Sequence, residues 1–253
     1  MPKIFDFDQT VTIEHSFADH QYEKYSGKSP SEIYQIGKEK AKNGLKVGIE
    51  EHLKHDNRNL SAIATFHNNP AFIAGSISVL LNKELELIET VTDKKQRIAI
   101  DLYRAEGVDK PFLISYLLAT GADEFKKTLR RLGNKNAQIT FLRETLVTLG
   151  EIQPDTLIEF YDDSKVNFDA AQSLSYLRSY HVDANALQFR IIAPDSQVVD
   201  GPIETAVEQS PSMTRLPRFF SSLKLEDTTM SSSSDFQENG DDENEKTGLH
   251  SSG

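Results

Sequence analysis

Two aspartates, Asp6 and Asp8, stand one residue apart in the stretch KIFDFDQTVTIEH near the start of the sequence. If the apolar residues around them form a strand, the two carboxylates project to the same side, because side chains at i and i+2 of a strand point the same way. Two adjacent carboxylates repel each other unless a positive charge lies close to them. The pair therefore indicates a metal ion, a lysine or bulk water at a strand end.

Other polar residues occupy similar places later in the chain. Asp162 and Asp163 end the apolar stretch TLIEFYDD, and Thr65 lies near the end of LSAIATF. Lys135 stands at the expected start of the helix that precedes the strand of Asp162. The carboxyl ends of neighbouring parallel strands meet at one edge of a sheet, so we expect these side chains to converge there.

Strand-like and helix-like stretches alternate along the first part of the chain. The predicted strands are KIFDF, LSAIATF, LELIETV, TLIEFYDD and ALQFRIIA. The predicted helices are SPSEIYQIGKEKAKN, NPAFIAGSISVLLNKE, PFLISYLLATG, ADEFKKTLRRLG, NAQITFLRETLVTLG and NFDAAQSLSYLRSY. Strands separated by helices are typical of a parallel sheet. We therefore predict an α/β fold with a Rossmann-like, parallel five-stranded sheet.

The composition excludes several classes of function. The formal net charge of −11 over 253 residues disfavours nucleic acid as the main partner. The sequence has no cysteine, which excludes disulfides, thiolate metal sites and a cysteine nucleophile. No run approaches the ~20 apolar residues that a membrane helix needs, and no classical signal peptide is recognisable. We expect a soluble protein with no transmembrane segment.

The order of these residues resembles the haloacid dehalogenase (HAD) superfamily, and specifically its phosphohydrolases. That family has four motifs: Asp-x-Asp-x-Thr after apolar residues, a Thr or Ser at a strand end, a Lys or Arg at a helix start, and an acidic pair after a strand. The chain matches them in order with Asp6, Asp8 and Thr10, with Thr65, with Lys135, and with Asp162 and Asp163. The resemblance covers roughly residues 1–195. One departure is Gln9, where the family commonly has Gly, and we expect it to adjust the loop geometry without loss of the chemistry.

The resemblance also implies a mechanism. Asp6 would attack phosphorus and form an aspartyl-phosphate, while Asp8 would protonate the leaving oxygen and then activate water. Thr65 and Lys135 would hold the phosphoryl oxygens. The implied cofactor is Mg²⁺, which prefers oxygen ligands. Its implied ligands are Asp6, Asp163, the backbone carbonyl of Asp8, and Asp162 either directly or through water.

Each assignment has a plainer alternative. Taken alone, Asp6 and Asp8 would fit a solvated strand end, and Asp162 and Asp163 would fit a turn. Lys110, Lys126 and Lys127 are the alternatives to Lys135 for the motif lysine. His67, which follows Thr65 closely, would fit either a contact with substrate or a hydrogen bond to backbone.

Three functions are compatible with this pattern. The first is a Mg²⁺-dependent phosphatase that acts on phosphotyrosine in host proteins. The second is a phosphatase of small phosphomonoesters such as nucleotides or sugar phosphates. The third is a binding protein that keeps the HAD fold without catalysis. The presence of Asp8 favours phosphomonoester hydrolysis over carbon–halogen cleavage, because a halide leaves without a proton.

The predicted domain organisation is a HAD-like part at 1–200, a linker at 201–225 and an acidic disordered tail at 226–253. Two insertions, at about 12–58 and 92–133, are expected to form small helical caps. The tail is acidic and poor in apolar residues, so it cannot bury enough surface to fold alone. Its DDENEK cluster resembles type IV secretion signals of intracellular bacterial pathogens. Two interpretations of the tail stay open. It is either an ordinary tail of a cytoplasmic protein or a signal for secretion machinery that delivers the protein into a host cell.

Overall fold

The computed structural model describes residues 1–14, 25, 27–119 and 121–192, and all elements described below lie in one compact unit, Met1–Glu204. The described strands are β1 (Lys3–Phe5), β2 (Ser61–Ala64), β3 (Leu85–Asp93), β4 (Ile98–Ala105), β5 (Phe112–Leu117), β6 (Ile158–Asp162) and β7 (Leu177–His181). The described helices are α1 (Pro30–Gly44), α2 (Ile49–His52), α3 (Pro70–Leu81), α4 (Ala122–Leu132), α5 (Asn136–Thr148) and α6 (Lys165–Ala171). Among these described helices, none is long and apolar enough to span a membrane.

The described strands form a single mixed sheet in the order β3-β4-β5-β2-β1-β6-β7. The strands from β5 to β7 in that order pair in parallel, whereas β3 and β4 are antiparallel to their neighbours. The α/β class is therefore confirmed. The sheet differs from the five-stranded parallel sheet that we predicted, because it has seven strands of mixed direction.

Helices cover both faces of the sheet. Within β1, Ile4 faces a core that includes Ile139 and Leu142 of α5, whereas Phe5 faces a core that includes Ile73 of α3. Ile4 and Phe5 are fully buried, and such strands read as continuous apolar runs because neither face meets water. The short strand β1 is therefore held at the centre of the sheet by packing on both sides.

Several predicted helices begin and end where the sequence indicated. Ser29 caps α1 in a capping box with Glu32, and Pro30 occupies the first helical position. Gly133 follows α4 with a φ of 68°, a left-handed conformation that glycine adopts without steric cost. Helix α5 covers most of the predicted stretch that begins at Asn136.

Three predictions of secondary structure are wrong. The stretch PFLISYLLATG forms strand β5 and not a helix. The prediction failed because a short apolar run that is buried on both faces has no periodicity that distinguishes a strand from a helix. The stretch ALQFRIIA forms only isolated bridges, at Gln188 and Ile191. The last parallel strand is instead β7, in the second half of a stretch predicted to be helical; the helix there, α6, ends at Ala171.

The predicted caps also differ from the structure. Of the insertion at 92–133, strands β4 and β5 belong to the central sheet, so this part extends the sheet and is not a helical cap. Strand β4 went unrecognised because its sequence, IAIDLYRA, is buried on both faces and shows little alternation. The insertion at 12–58 contains α1 and α2 in its described part. The linker at 201–225 and the tail at 226–253 lie outside the described residues.

Candidate functional site

The register of three central strands sets the position of the site. Phe5 of β1 lies opposite Ile63 of β2 and Tyr161 of β6. The backbone N–H of Asp6 then donates to the carbonyl of Tyr161 at 2.8 Å, which continues the pairing by one residue. As a result, Asp6 and Asp162 leave the sheet side by side at its carboxyl edge.

Lys135 lies between these two aspartates. Its ammonium contacts Asp6 Oδ1 and donates to Asp162 Oδ2 at 2.9 Å. All three side chains are at most 9 % exposed. Lys135 immediately precedes α5, so the helix start carries the lysine to the sheet edge as predicted. Lys126 and Lys127, two of the alternatives, are exposed on α4.

Asp163, the residue after Asp162, is held by contacts with Thr10 and His181. Thr10 Oγ1 donates to Asp163 Oδ1 at 3.0 Å and accepts from the Asp163 backbone N–H at 3.0 Å. Nε2 of His181 lies 3.0 Å from the carbonyl oxygen of Asp163. Asp163 is only half-buried, so its carboxylate forms the more open side of the acidic cluster.

Asp162 is fixed by its own local contacts. Its Oδ1 accepts from the Ser164 N–H at 2.7 Å, and Asn167 Nδ2 lies 3.2 Å from Oδ2. Both oxygens are therefore already engaged by protein donors, one of them by Lys135. This arrangement suits a residue that orients Lys135 better than one that turns freely toward a ligand.

Thr65 lies one strand away, after β2. Its hydroxyl accepts from the His67 N–H at 3.0 Å, and its carbonyl accepts from Gln138 Nε2 at 2.6 Å. Its own N–H donates to the carbonyl of Ser115 at 3.0 Å. The His67 ring accepts from the Asn69 N–H at its Nδ1 and stacks on Phe72, so its described contacts fit a structural role in the loop.

The loop after β1 turns sharply at Gln9. Gln9 has a φ of 57°, and its N–H donates to Thr12 Oγ1 at 3.1 Å. This left-handed conformation is the one that glycine adopts without strain. The glutamine therefore occupies a turn in a glycine-like conformation, and Asp8 next to it is 9 % exposed.

Burial and crowding of the carboxylates shift their pKa values upward. Burial raises the pKa of Asp6 to about 8, and the charges of Asp163 and Asp8 add to this against the attraction of Lys135. Burial likewise raises the pKa values of Asp162 and Asp163 to about 6. Burial alone would lower the pKa of Lys135, but the charges of Asp162 and Asp6 outweigh it and raise that pKa above its usual value. One lysine therefore does not satisfy the negative charge collected here.

The donor set fits a divalent cation. Asp6, Asp162 and Asp163 can each place one carboxylate oxygen within 4.8 Å of the others. Carboxylate oxygens are the ligands that Mg²⁺ and similar hard cations prefer, and a cation would relieve the crowded charge. The Asp8 carboxylate is not in this group of described residues, so its assignment to the metal stays a prediction for its backbone carbonyl.

The effect of Mg²⁺ on stability should grow with pH. The three carboxyls have folded-state pKa values above their usual value of 3.8, so between about pH 4 and pH 8 the metal-free folded chain binds more protons than the unfolded chain. Its free energy of unfolding therefore falls as pH rises through this window. Bound Mg²⁺ would neutralise the carboxylates that protons neutralise at lower pH, and so would restore stability. We expect a larger rise of Tm with Mg²⁺ over EDTA near pH 8 than near pH 5. A shift that is equal at both pH values, or that persists in Asp163→Asn, would place the cation elsewhere.

Three residues near the site were not among the predicted site residues. Gln138 and Asn167 contact the backbone of Thr65 and the side chain of Asp162, and Asn167 stands in the same DDSKVN stretch as the acidic pair. Lys46 is 1 % exposed, although it lies in the short segment GLKVG, where a lysine ordinarily points to solvent. A lysine flanked by apolar residues and glycines was the one signal for it in the sequence.

No family model matches the chain, and neither the curated proteins nor the solved structures contain a significant match to it. The likeness to the HAD superfamily therefore remains a resemblance carried by motifs. Function has to be inferred from the geometry of the site itself.

Proposed function

We propose that the chain is a Mg²⁺-dependent phosphatase that hydrolyses phosphomonoesters through an aspartyl-phosphate on Asp6. The observation that carries this proposal is the contact of Lys135 with both Asp6 and Asp162 at the carboxyl end of the central strand. Phosphoryl transfer needs a positioned nucleophile and positive charge around the phosphoryl oxygens. A buried carboxylate beside a buried ammonium supplies both.

Asp6 is the assigned nucleophile. Its Oδ1 accepts from the Phe7 N–H at 2.6 Å and contacts Lys135, which fixes the carboxylate. We assign Oδ2 to the attack. Attack forms a bond from Oδ2 to phosphorus and breaks the bond from phosphorus to the ester oxygen. Asp8 gives that oxygen its proton, then removes a proton from the water that cleaves the aspartyl-phosphate and releases phosphate.

The remaining residues bind the phosphoryl group and the cation. Lys135 and the Thr65 hydroxyl are assigned to the phosphoryl oxygens. Asp6 and Asp163 are the assigned carboxylate ligands, with Asp162 holding Lys135 in place. When bound, Mg²⁺ would neutralise charge on the phosphoryl oxygens.

Phosphotyrosine in a protein is the substrate that we propose first, with small phosphomonoesters as the alternative. The ring of Phe66 is half-buried and its centre lies 5.3 Å from Lys135 Nζ, so an aromatic surface borders the phosphate-binding ammonium. Secretion into a host cell is a proposal on the composition of the tail alone. A binding protein without catalysis is less favoured, because no member of the proposed catalytic set is missing.

The test is hydrolysis of para-nitrophenyl phosphate by the purified full chain. We expect turnover with Mg²⁺, none with EDTA, and a drop of about 10³-fold or more in Asp6→Asn, because nucleophile substitutions have effects of this size or larger. The matched control is Asp169→Asn, the same change at an exposed carboxylate of α6, which should leave turnover unchanged. Absence of turnover in a folded protein with Mg²⁺ would contradict the proposal and favour the binding role. Active protein would next be compared on phosphotyrosine peptides and on small phosphomonoesters.

A further inference from the structure

Lys46 is a buried lysine that the mechanism above does not use. It is 1 % exposed and is among the largest fully buried side chains of the described residues. Its ammonium donates a hydrogen bond to the backbone carbonyl of Asp183. Burial of an ammonium costs free energy unless nearby negative charge offsets it, so the surroundings of Lys46 need an explanation.

Both ends of Lys46 are tied to segments that hold the acidic pair. Its backbone N–H donates at 2.9 Å to the carbonyl of Val11. Val11 follows Thr10, and the Thr10 hydroxyl donates to Asp163. Asp183, at the other end, follows Val182, whose N–H donates at 2.9 Å to the carbonyl of Asp162. Lys46 therefore joins the loop after β1 to the segment after β7 on the Asp163 side of the cluster.

The charge on Lys46 is balanced across a distance and not by a close pair. Burial lowers the pKa of Lys46, whereas the negative charges of Asp163 and Asp183 act in the opposite direction. Within the described residues, Lys46 has no carboxylate oxygen as near as those that contact Lys135. Of these two acids, Asp163 is the one that belongs to the acidic cluster of the site.

Lys46 changes the net charge of the site by one unit. The negative groups are the carboxylates of Asp6, Asp8, Asp162 and Asp163, and the positive groups are the ammoniums of Lys135 and Lys46. When all are ionised, two net negative charges are left, which one divalent cation cancels. In the state that accepts substrate, Asp8 holds the proton that it later gives to the leaving oxygen. The loaded site then carries one net positive charge with Lys46 and none without it, so a phosphate dianion is attracted less strongly when Lys46 is absent.

We infer that Lys46 tunes the charge of this site: its ammonium weakens the binding of the divalent cation by the acidic cluster and strengthens the attraction of the loaded site for an anionic substrate. This inference rests on the proposed function. The inference predicts that loss of the Lys46 charge strengthens the binding of the divalent cation and weakens the binding of phosphate. A merely structural role would not do so, because damage to the site weakens the binding of both ions.

The test uses Lys46→Met and Lys46→Gln in the full chain. Methionine removes the charge and the hydrogen bond, whereas glutamine removes the charge and keeps an N–H donor for the Asp183 carbonyl. Titration calorimetry measures the Kd of Mn²⁺, and then the Kd of inorganic phosphate in the Mn²⁺-loaded protein. We expect both variants to bind Mn²⁺ about tenfold more tightly and phosphate about tenfold more weakly than the natural protein.

The matched control is Lys40→Met, which changes net charge equally at an exposed position of α1 and should leave both Kd values unchanged. If both affinities fall together in the Lys46 variants, or neither changes, the inference is overturned. If Lys46→Met does not fold, Lys46→Gln decides alone by the same two Kd values. If the natural protein itself binds neither Mn²⁺ nor phosphate, the proposed function fails first, which distinguishes the two failures.

Discussion

Replacement of Lys135 by methionine should lower the free energy of unfolding of the metal-free protein by about 3–5 kcal/mol, the usual cost of removing one partner from a buried ion pair. Lys135 contacts Asp6 and donates to Asp162 at 2.9 Å, and all three side chains are at most 9 % exposed. Methionine fills similar space but leaves two carboxyls without their cation. Urea unfolding in EDTA at neutral pH measures the loss.

Two variants control this experiment. Lys165→Met removes a lysine that is paired with Asp169 at 2.8 Å on the exposed face of α6, and such surface pairs contribute about 0–1 kcal/mol. The double variant Lys135→Met/Asp162→Asn should recover part of the loss, because it removes one uncompensated carboxylate. A loss in Lys135→Met no larger than that in Lys165→Met would show that the buried pair contributes little to stability.

Lys135 offsets only part of the cost of burying the acidic cluster. Burial raises the pKa of Asp6 to about 8 even with the ammonium in contact, so these carboxyls are costly to ionise. A cation would lower that cost. Stability of the fold and occupancy of the site are therefore linked: in Lys135→Met, Mg²⁺ should recover more free energy of unfolding than it adds to the natural protein.

The position of the site was predictable because it depends on features that are local in the sequence. Asp6 and Asp162 each end an apolar run, and parallel neighbours in register bring such ends together. Lys135 follows a glycine-terminated helix and starts the next one, so its place at the sheet edge also follows from local signals. The α/β class follows from the same alternation of runs.

The parts that sequence did not predict depend on tertiary pairing. Strand β5 is an apolar run with no helical or strand period that decides it, and it becomes a strand because β2 and β4 pair with its two edges. Strand β3 was correctly placed, but its antiparallel pairing with β4 could not be read from either stretch alone. The burial of Lys46 is a similar case, because it depends on a carbonyl 137 residues away.

Replacement of Asp8 by asparagine should slow hydrolysis by about 10²–10⁴-fold, the range over which a general acid or base contributes. Asp8 lies two residues after Asp6 in the loop that follows β1, and its charge acts to raise the pKa of Asp6. Asparagine keeps the shape but can neither give nor take the proton at the leaving oxygen. Steady-state kcat with Mg²⁺ measures the effect.

A comparison of two leaving groups distinguishes proton transfer by Asp8 from a structural effect of the substitution on the site. An alkyl alcohol needs a proton to leave, whereas para-nitrophenolate leaves readily without one, so Asp8→Asn should slow hydrolysis of an alkyl phosphate more than that of para-nitrophenyl phosphate. The stability of the metal-free variant should be equal to or above that of the natural protein, because one of the crowded negative charges is removed. An equal loss on both substrates, together with a lower Tm, would assign Asp8 to the structure of the loop and not to proton transfer.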